Sequence, residues 1–345
     1  MTWEQDFGEF LEAAARGERR RLDESSALVT ALEERVLDGP RRYTRGEVVA
    51  RAGVTEDEAL RLWRSLGFPD VPDDLVYFTD RDVEAASLLA TDPAARALPT
   101  DVRETVIRAI AQSMSRLADW QVGMLARMVA DRAEGAEPEN ALAAARDLLP
   151  LLERAQTYIW RRHVAAAVSR FVVGPLDDEN DTRELTVGFA DMVGFTRTTR
   201  RRSPAELAEM IAQFEAVTTD VIGGGGGRIV KTVGDEVLFV TDTVAAAAEI
   251  AVALHERVRA EPVLPPLRIG LAAGEVLTRF GDVYGETVNI AARLTTHARP
   301  DTILVDREVR EALRADDRYR TQRLRPLQVK GYRHLQPYTL RTMEP

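Results

Sequence analysis

A chain of 345 residues is longer than most single domains, and a composition of 45% apolar and 30% charged residues is typical of a folded globular protein, so we expect two domains. The absence of cysteine excludes disulfides, thiolate zinc sites and a cysteine nucleophile, and it favours a reducing compartment, which we expect to be the cytoplasm. Because the sequence has neither a basic, apolar leader nor an apolar run of about 18 residues, we expect neither secretion nor membrane insertion.

The net charge of −10 comes entirely from the first part of the chain. Residues 1–150 contain 19 Lys and Arg against 29 Asp and Glu, whereas the rest of the chain contains 27 of each. This asymmetry supports two domains with different roles. It also argues against nucleic acid as a partner of the first part, because binding to phosphates depends on an excess of basic residues.

The first 172 residues are predicted to form an all-helical domain. Apolar residues at helical spacing indicate two helices within residues 3–37 and three short helices within residues 43–89, with Thr55 and Thr79 as N-caps. Longer amphipathic helices are predicted from about residue 101 to 131 and from about residue 140 to 172. Residues 173–182 are predicted to be a linker, because turn formers and acidic residues replace the apolar periodicity there.

Strands and helices are predicted to alternate in residues 183–345. "LTVGFADMV" has the composition of a strand, and Ser203, followed by Pro204 and Glu206, predicts a helix that begins with a capping box. A hairpin of "RIVKTV" and "EVLFV", another helix and the strand "LRIGLAAGEV" follow. This βαββαβ order predicts an α+β domain with a ferredoxin-like core sheet whose helices lie on one face.

Three segments of this second domain contain residue types suited to phosphate chemistry. "FADMVGFT", residues 189–196, places Asp191 at the end of a strand and before a helix, where a carboxylate can hold a divalent ion. The hairpin turn contains a second carboxylate, Asp235. Asn289 and Arg293 are spaced i, i+4 on one helix face and can act together on a phosphate ester. Each segment alone also fits a structural interpretation, as a helix cap, a solvated turn or an exposed helix face.

Taken together, "FADMVGFT", "GRIVKTVGDEVLF" and "GDVYGETVNIAARL" resemble the catalytic domain of class III nucleotidyl cyclases from about residue 183 to the end. The resemblance implies that ATP is converted to 3',5'-cyclic AMP and pyrophosphate by attack of the ribose 3'-oxygen on the α-phosphorus. It also implies a role for each matching residue: two Mg²⁺ or Mn²⁺ ions on Asp191 and Asp235, purine recognition by Lys231 and Asp282, ribose orientation and transition-state stabilisation by Asn289 and Arg293, and triphosphate contacts from Arg268 and Lys330.

The resemblance also implies a base preference and an assembly. Lysine can donate to adenine N1 and aspartate can accept from the 6-amino group, and guanylyl cyclases of the family usually have Glu and Cys at the positions of Lys231 and Asp282. Active sites of the family form across a head-to-tail dimer, which implies an active homodimer and an inactive monomer. The segment "GEVLTRFGD", residues 274–282, is shorter than the arm of many members and is similar to the short-arm bacterial subgroup.

The whole layout resembles soluble actinobacterial cyclases, in which a helical N-terminal domain controls the catalytic dimer in response to pH or fatty acids. This implies a proton, a lipid or another small molecule as a regulator of residues 1–172, with residues 140–172 as the transmission helix. His163 is a candidate proton sensor in that helix, because histidine changes charge near neutral pH, and an inert surface histidine is the alternative. Residues 43–89 are weakly similar to the helix-turn-helix of MerR-type regulators, but their acidic surroundings oppose DNA binding.

Other functions remain open at this point. A diguanylate cyclase would have a Gly-Gly-Asp/Glu-Glu-Phe hairpin, whereas this hairpin contains "TVGDEVLF", and it would give Asn289 and Arg293 no role. Lys231 argues against a guanylyl cyclase, because guanylyl cyclases of the family usually have Glu at this position. A catalytically silent module that only senses nucleotide would typically lack a metal aspartate or the arginine, and this chain contains both.

Overall fold

The computed structural model describes residues 27–133, 138–173, 182–200, 202–279, 281–329 and 332–343. The chain divides into two compact units, Met1–Pro175 and Leu176–Pro345. Buried apolar residues form separate clusters in the two units, one around Phe78 and others around Phe214 and Val187. Each unit therefore has a hydrophobic core of its own.

The regular secondary structure in the described part of the first unit is helical, apart from an isolated β-bridge between Tyr43 and Phe78. The helices are α1 (Ala27–Val36), α2 (Arg45–Ala52), α3 (Glu56–Ser65), α4 (Asp80–Thr91), α5 (Pro93–Arg96), α6 (Thr100–Ala133) and α7 (Pro138–Val173). The predicted N-caps are confirmed: the Thr55 side chain accepts from the Glu58 N–H, and the Thr79 N–H donates to the Asp82 carboxylate at 2.7 Å. Of the two helices predicted within residues 3–37, the second is α1, and the first lies outside the described residues.

Packing differs sharply along the first unit. Trp63 and Phe78 pack with ring centroids 4.7 Å apart in the small core of α2, α3 and α4. In contrast, all side chains of residues 157–169 in α7 are exposed, including Trp160 at 64%. Within the described ranges, no helix combines the length and the apolar character that crossing a membrane requires.

The second unit is built on a mixed sheet. Its elements are β1 (Thr182–Met192), α8 (Phe195–Thr199), α9 (Pro204–Gly224), β2 (Arg228–Val233), β3 (Glu236–Thr241), α10 (Val244–Arg259), β4 (Leu267–Arg279), β5 (Asp282–Tyr284), α11 (Glu286–His297), β6 (Thr302–Val305), α12 (Arg307–Ala312), β7 (Tyr319–Arg323), β8 (Leu327–Val329), β9 (Tyr332–Leu335) and β10 (Tyr338–Thr342). The strand order is β2-β3-β1-β4-β6-β10-β7, with β5 paired to β4 and a separate β8–β9 hairpin. β1 is antiparallel to β3 and β4, and β4 is parallel to β6. The predicted βαββαβ order is confirmed by β1, α9, β2, β3, α10 and β4.

Helices cover both faces of this sheet. Helices α9 and α10 pack on one face, where Phe214 and Leu254 are buried with Ile269 of β4. Helix α11 packs on the opposite face, where Ala291 is buried with Ala272 of β4. The prediction that the helices lie on one face is therefore wrong for α11. The reason is that successive side chains of β4 point to opposite faces of the sheet and are apolar on both faces. Helices must therefore pack on both faces to bury them.

Helix α11 lies very close to β4. A Cβ atom on Gly270 would be 2.5 Å from the Ala291 carbonyl oxygen and 2.5 Å from the Thr295 nitrogen, so only glycine fits there. The Thr287 hydroxyl donates to the Glu275 carbonyl at 2.8 Å, which fixes the first turn of the helix on the same strand. The distance of α11 from the sheet is therefore set by backbone contacts.

Candidate active site

Three charged residues form a row across the end of the sheet. Asp191 of β1 is the register partner of Glu236 on β3 and of Arg268 on β4, so the three side chains lie on the same face. Asp191 is buried and Glu236 is half-buried. Glu236 was not among the predicted site residues; the available signal was the "GDE" turn, in which it follows Asp235.

The hairpin turn brings Asp235 next to this row. Gly234 has φ +65°, a left-handed conformation that glycine adopts without strain, and the turn directs β3 back along β2. The Met192 N–H then donates to the Asp235 carbonyl at 3.0 Å, which ties the turn to the end of β1. The two predicted metal carboxylates, 44 positions apart in the sequence, are thereby neighbours in the fold.

The charges of this cluster are not balanced. Burial raises the pKa of Asp191, Arg268 opposes that shift, and the nearby Asp235 adds to it. Burial also raises the pKa of Glu236, and the charges of Asp191 and Asp235 raise it further. When the three carboxylates are ionised, the guanidinium of Arg268 leaves a charge of about −2. A divalent cation would neutralise it.

The residues of the cluster fit Mg²⁺ or Mn²⁺ only in part. Carboxylate oxygens are the ligands that these ions prefer, and the Asp191 carboxylate already has a cationic partner, the Arg268 Nε at 2.5 Å from its Oδ2. Across the described ranges, no three His, Cys, Asp or Glu residues are grouped closely enough to hold a metal by themselves. The fit is therefore that of an ion held by one or two carboxylates, with phosphate oxygens and water as the other ligands.

A second pair of charged residues lies on β2 and β5. The Lys231 ammonium donates to the Asp282 Oδ2 at 2.6 Å, with the two side chains 47% and 27% exposed. Burial acts to raise the pKa of Asp282, but the hydrogen bonds from Lys231 and from the Val283 N–H outweigh it, so the pKa is lowered. Arg228 donates to the Gly281 carbonyl at 3.2 Å and holds the two segments together. A cationic donor and an anionic acceptor thus lie side by side at an open surface.

Asn289 and Arg293 lie one turn apart on α11. Asn289 is exposed and Arg293 is half-buried. In the part of the chain that the structure describes, neither side chain has a hydrogen-bond or ion-pair partner. Both are therefore available to a ligand.

Comparison with known proteins identifies the family. Residues 178–342 match the family model described as "Adenylate and Guanylate cyclase catalytic domain". A Streptomyces coelicolor protein named "Adenylate cyclase" is 40% identical over 288 residues, which are 83% of this chain and 75% of that protein. A Glutamicibacter nicotianae protein of the same name is 35% identical over 329 residues, which are 90% of this chain and 82% of that protein.

The chain belongs to the adenylate and guanylate cyclase family. The class III resemblance of the three sequence segments is confirmed. Among solved structures, the adenylyl cyclase CyaB from P. aeruginosa is 23% identical, with a TM-score of 0.43 over 48% of this chain and 98% of that chain.

The cyclase unit holds its predicted site residues in three groups: Asp191, Asp235 and Arg268; Lys231 and Asp282; Asn289 and Arg293. None of the hydrogen bonds and ion pairs between described residues joins one group to another. Lys330 lies outside the described residues. His163 lies on the exposed part of α7, in the first unit.

Proposed function

We propose that this protein is an adenylyl cyclase that converts ATP to 3',5'-cyclic AMP and pyrophosphate. The contact between Lys231 and Asp282 is the main support. It places a donor beside an acceptor at 2.6 Å, which matches N1 and the 6-amino group of adenine, whereas guanine presents a donor at N1 and an acceptor at O6. Both relatives described above are named adenylate cyclases. The lack of cysteine fits a role in the cytoplasm.

We propose two divalent ions, Mg²⁺ or Mn²⁺, as cofactors, with Asp191 and Asp235 as their protein ligands. Bound ions would polarise the α-phosphate and favour the ionised form of the ribose hydroxyl. The protein contributes a negatively charged cluster at the end of β1, in which Asp191 is held by strand pairing and Asp235 by the hydrogen bond from the Met192 N–H to its carbonyl. Glu236, the register partner of Asp191, adds negative charge next to them.

Arg293 and Asn289 are proposed to act on the reacting atoms. A guanidinium without a partner in the described protein can bind the charge that develops on the phosphorus, where it stabilises the transition state more than the ground state. The Asn289 amide, on the same helix face, can orient the ribose so that its 3'-oxygen lies in line with the leaving group. Arg268 and Lys330 are proposed to contact the triphosphate.

The proposed active form is a homodimer. One chain contains three groups of site residues that no described contact unites, and a two-fold axis can bring the metal group of one chain to the nucleotide groups of the other. Two equivalent sites result, and a monomer would have none. The exposed side chains of Lys231 and Asn289 are consistent with a surface that a second chain completes.

Residues 1–172 are proposed to regulate the cyclase unit, with α7 as the transmission helix. Support comes from the two relatives, whose similarity extends over 83% and 90% of this chain and so includes helical segments. A proton, a lipid or a small molecule is the proposed signal, and His163 is the candidate proton sensor. The role is tested by measuring cyclic AMP formation across pH for the wild type and for His163→Ala. An unchanged profile would remove His163 from this role.

The function is tested by incubating the purified chain with MgATP or MnATP and separating the products by chromatography. Cyclic AMP that is formed by the wild type and lost in Asp191→Ala supports the proposal. Cyclic GMP from GTP would reverse the base assignment, and cyclic di-GMP would indicate a diguanylate cyclase. Nucleotide binding without any cyclic product would indicate a silent sensing module.

A further inference from the structure

The guanidinium of Arg268 occupies the position next to the most buried carboxylate of the site. Its Nε donates to the Asp191 Oδ2 at 2.5 Å, and its Nη1 donates to the Thr296 carbonyl at the end of α11 at 3.3 Å. Arg268 and Asp191 are register partners on β4 and β1, so the contact needs no special backbone conformation. Two anchors therefore hold the guanidinium over Asp191.

The ion pair with Arg268 offsets the cost of burying the charged Asp191 carboxylate. A buried carboxylate is costly unless a cation or several donors accompany it. Among the described residues, Arg268 provides the ion pair of Asp191, while Asp235 adds repulsion. Removal of the guanidinium would therefore leave the buried Asp191 carboxylate without its counterion and would favour the uptake of another cation.

A metal ion and the guanidinium cannot share this carboxylate without cost. An ion that binds the Asp191 carboxylate comes within a few ångströms of the Arg268 charge, and like charges at such distances repel strongly. The guanidinium can leave by rotation of its side chain, which is already 34% exposed. A planar guanidinium also binds phosphate oxygens in a bidentate manner.

We propose that Arg268 is an internal counterion of Asp191, which a divalent ion displaces, and that the displaced guanidinium then binds the triphosphate. The exchange keeps the buried carboxylate neutralised both before and after the metal binds. It also makes Arg268 available for phosphate only when the metal is in place. The proposal rests on the proposed function, since it takes Asp191 to be a metal ligand.

The test measures Mn²⁺ binding to the full-length, nucleotide-free protein, with free Mn²⁺ quantified by electron paramagnetic resonance. Arg268→Gln removes the charge but keeps an amide donor for the Asp191 carboxylate, and Arg268→Ala removes both. Both variants are expected to bind Mn²⁺ about tenfold more tightly than the wild type, because a competing charge is gone. Arg268→Lys, the matched control, keeps the positive charge that competes with Mn²⁺ and is expected to remain within about threefold of the wild type.

The same variants are expected to respond in the opposite direction to inorganic tripolyphosphate. Arg268→Gln and Arg268→Ala should bind it about tenfold more weakly at saturating Mn²⁺, because a phosphate donor is lost. A general loosening of the site would weaken both ligands together. Circular dichroism and thermal unfolding show whether each variant is folded, and Arg268→Gln serves as the test if Arg268→Ala is not.

The variant Asp191→Asn distinguishes failure of the metal assignment from failure of the proposed exchange. If this variant binds Mn²⁺ as the wild type does, Asp191 is not a metal ligand, and the metal assignment of the proposed function is wrong. If it loses Mn²⁺ but Arg268→Gln binds Mn²⁺ no better than the wild type, the metal site stands and the exchange is refuted.

Discussion

The substitutions Asp191→Ala and Arg293→Ala, placed on two different chains of a dimer, should decide whether each active site is formed by residues of both chains. If the sites are shared as proposed, a heterodimer of Asp191→Ala and Arg293→Ala chains has one site with an intact Asp191 from one chain and an intact Arg293 from the other. The second site lacks both. Arginines that stabilise a phosphoryl transition state are worth about 10³ to 10⁵ in rate, so the damaged site should add less than about 1%. We therefore expect about half of the wild-type specific activity.

The control contains the same two substitutions in a different arrangement. A chain with both Asp191→Ala and Arg293→Ala, paired with a wild-type chain, has one missing group in each shared site and should be almost inactive. Co-expression with two affinity tags and tandem purification isolates both heterodimers, and cyclic AMP is measured at saturating MnATP. Half activity in the control and none in the distributed heterodimer would mean that each site lies within one chain.

Three further predictions concern the proposed base recognition by Lys231, the packing of Gly270 against α11, and the buried carboxyl group of Asp306. Lys231→Ala should raise KM for ATP by about tenfold or more, because a hydrogen bond to a charged group is lost; an unchanged ratio of ATP to GTP turnover would count against base recognition. Gly270→Ala should lower the free energy of unfolding in urea by about 1–3 kcal/mol through overpacking against α11, whereas Gly223→Ala, with open space at its Cβ, should change little. Burial raises the pKa of Asp306 from 3.8 to about 7, so its contribution to stability is complete below about pH 4 and is lost as the pH rises through 7. In Asp306→Asn, which cannot titrate, the melting temperature should differ less between pH 5 and pH 8 than in the wild type.

Local signals in the sequence predicted the elements well. N-caps depend on residues within one turn, which is why Thr55 and Ser203 were found in their predicted positions. The two long helices end within about three residues of their predicted limits, since their apolar periodicity is continuous. The side of the sheet that α11 covers was predicted wrongly, because it depends on which apolar face of β4 the helix meets after the β5 turn.

The site could be predicted only where residues lie close in sequence or match the family pattern. The i, i+4 spacing alone puts Asn289 and Arg293 on one helix face. The contact between Lys231 and Asp282 was expected from the resemblance, not from spacing. The pairing of Asp191 with Arg268 depends on the register of β1 against β4, where a slip of one residue would move the arginine to the other face, so the sequence alone could not indicate it.

The tight packing of α11 limits how such an enzyme can be regulated. Backbone atoms of α11 contact β4 at Gly270, and the Thr295 hydroxyl reaches the Phe189 carbonyl of β1 at 3.4 Å, so the helix has little room to slide within its own chain. The backbone of Arg293 lies between Ala291 and Thr295, which make these contacts, so its position relative to the sheet is fixed as well. If the sites are shared as proposed, the distance between Arg293 and the partner's metal group depends instead on how two chains are arranged. We therefore expect regulatory signals to act on the arrangement of the dimer and to change kcat while leaving the fold of each cyclase unit unaltered.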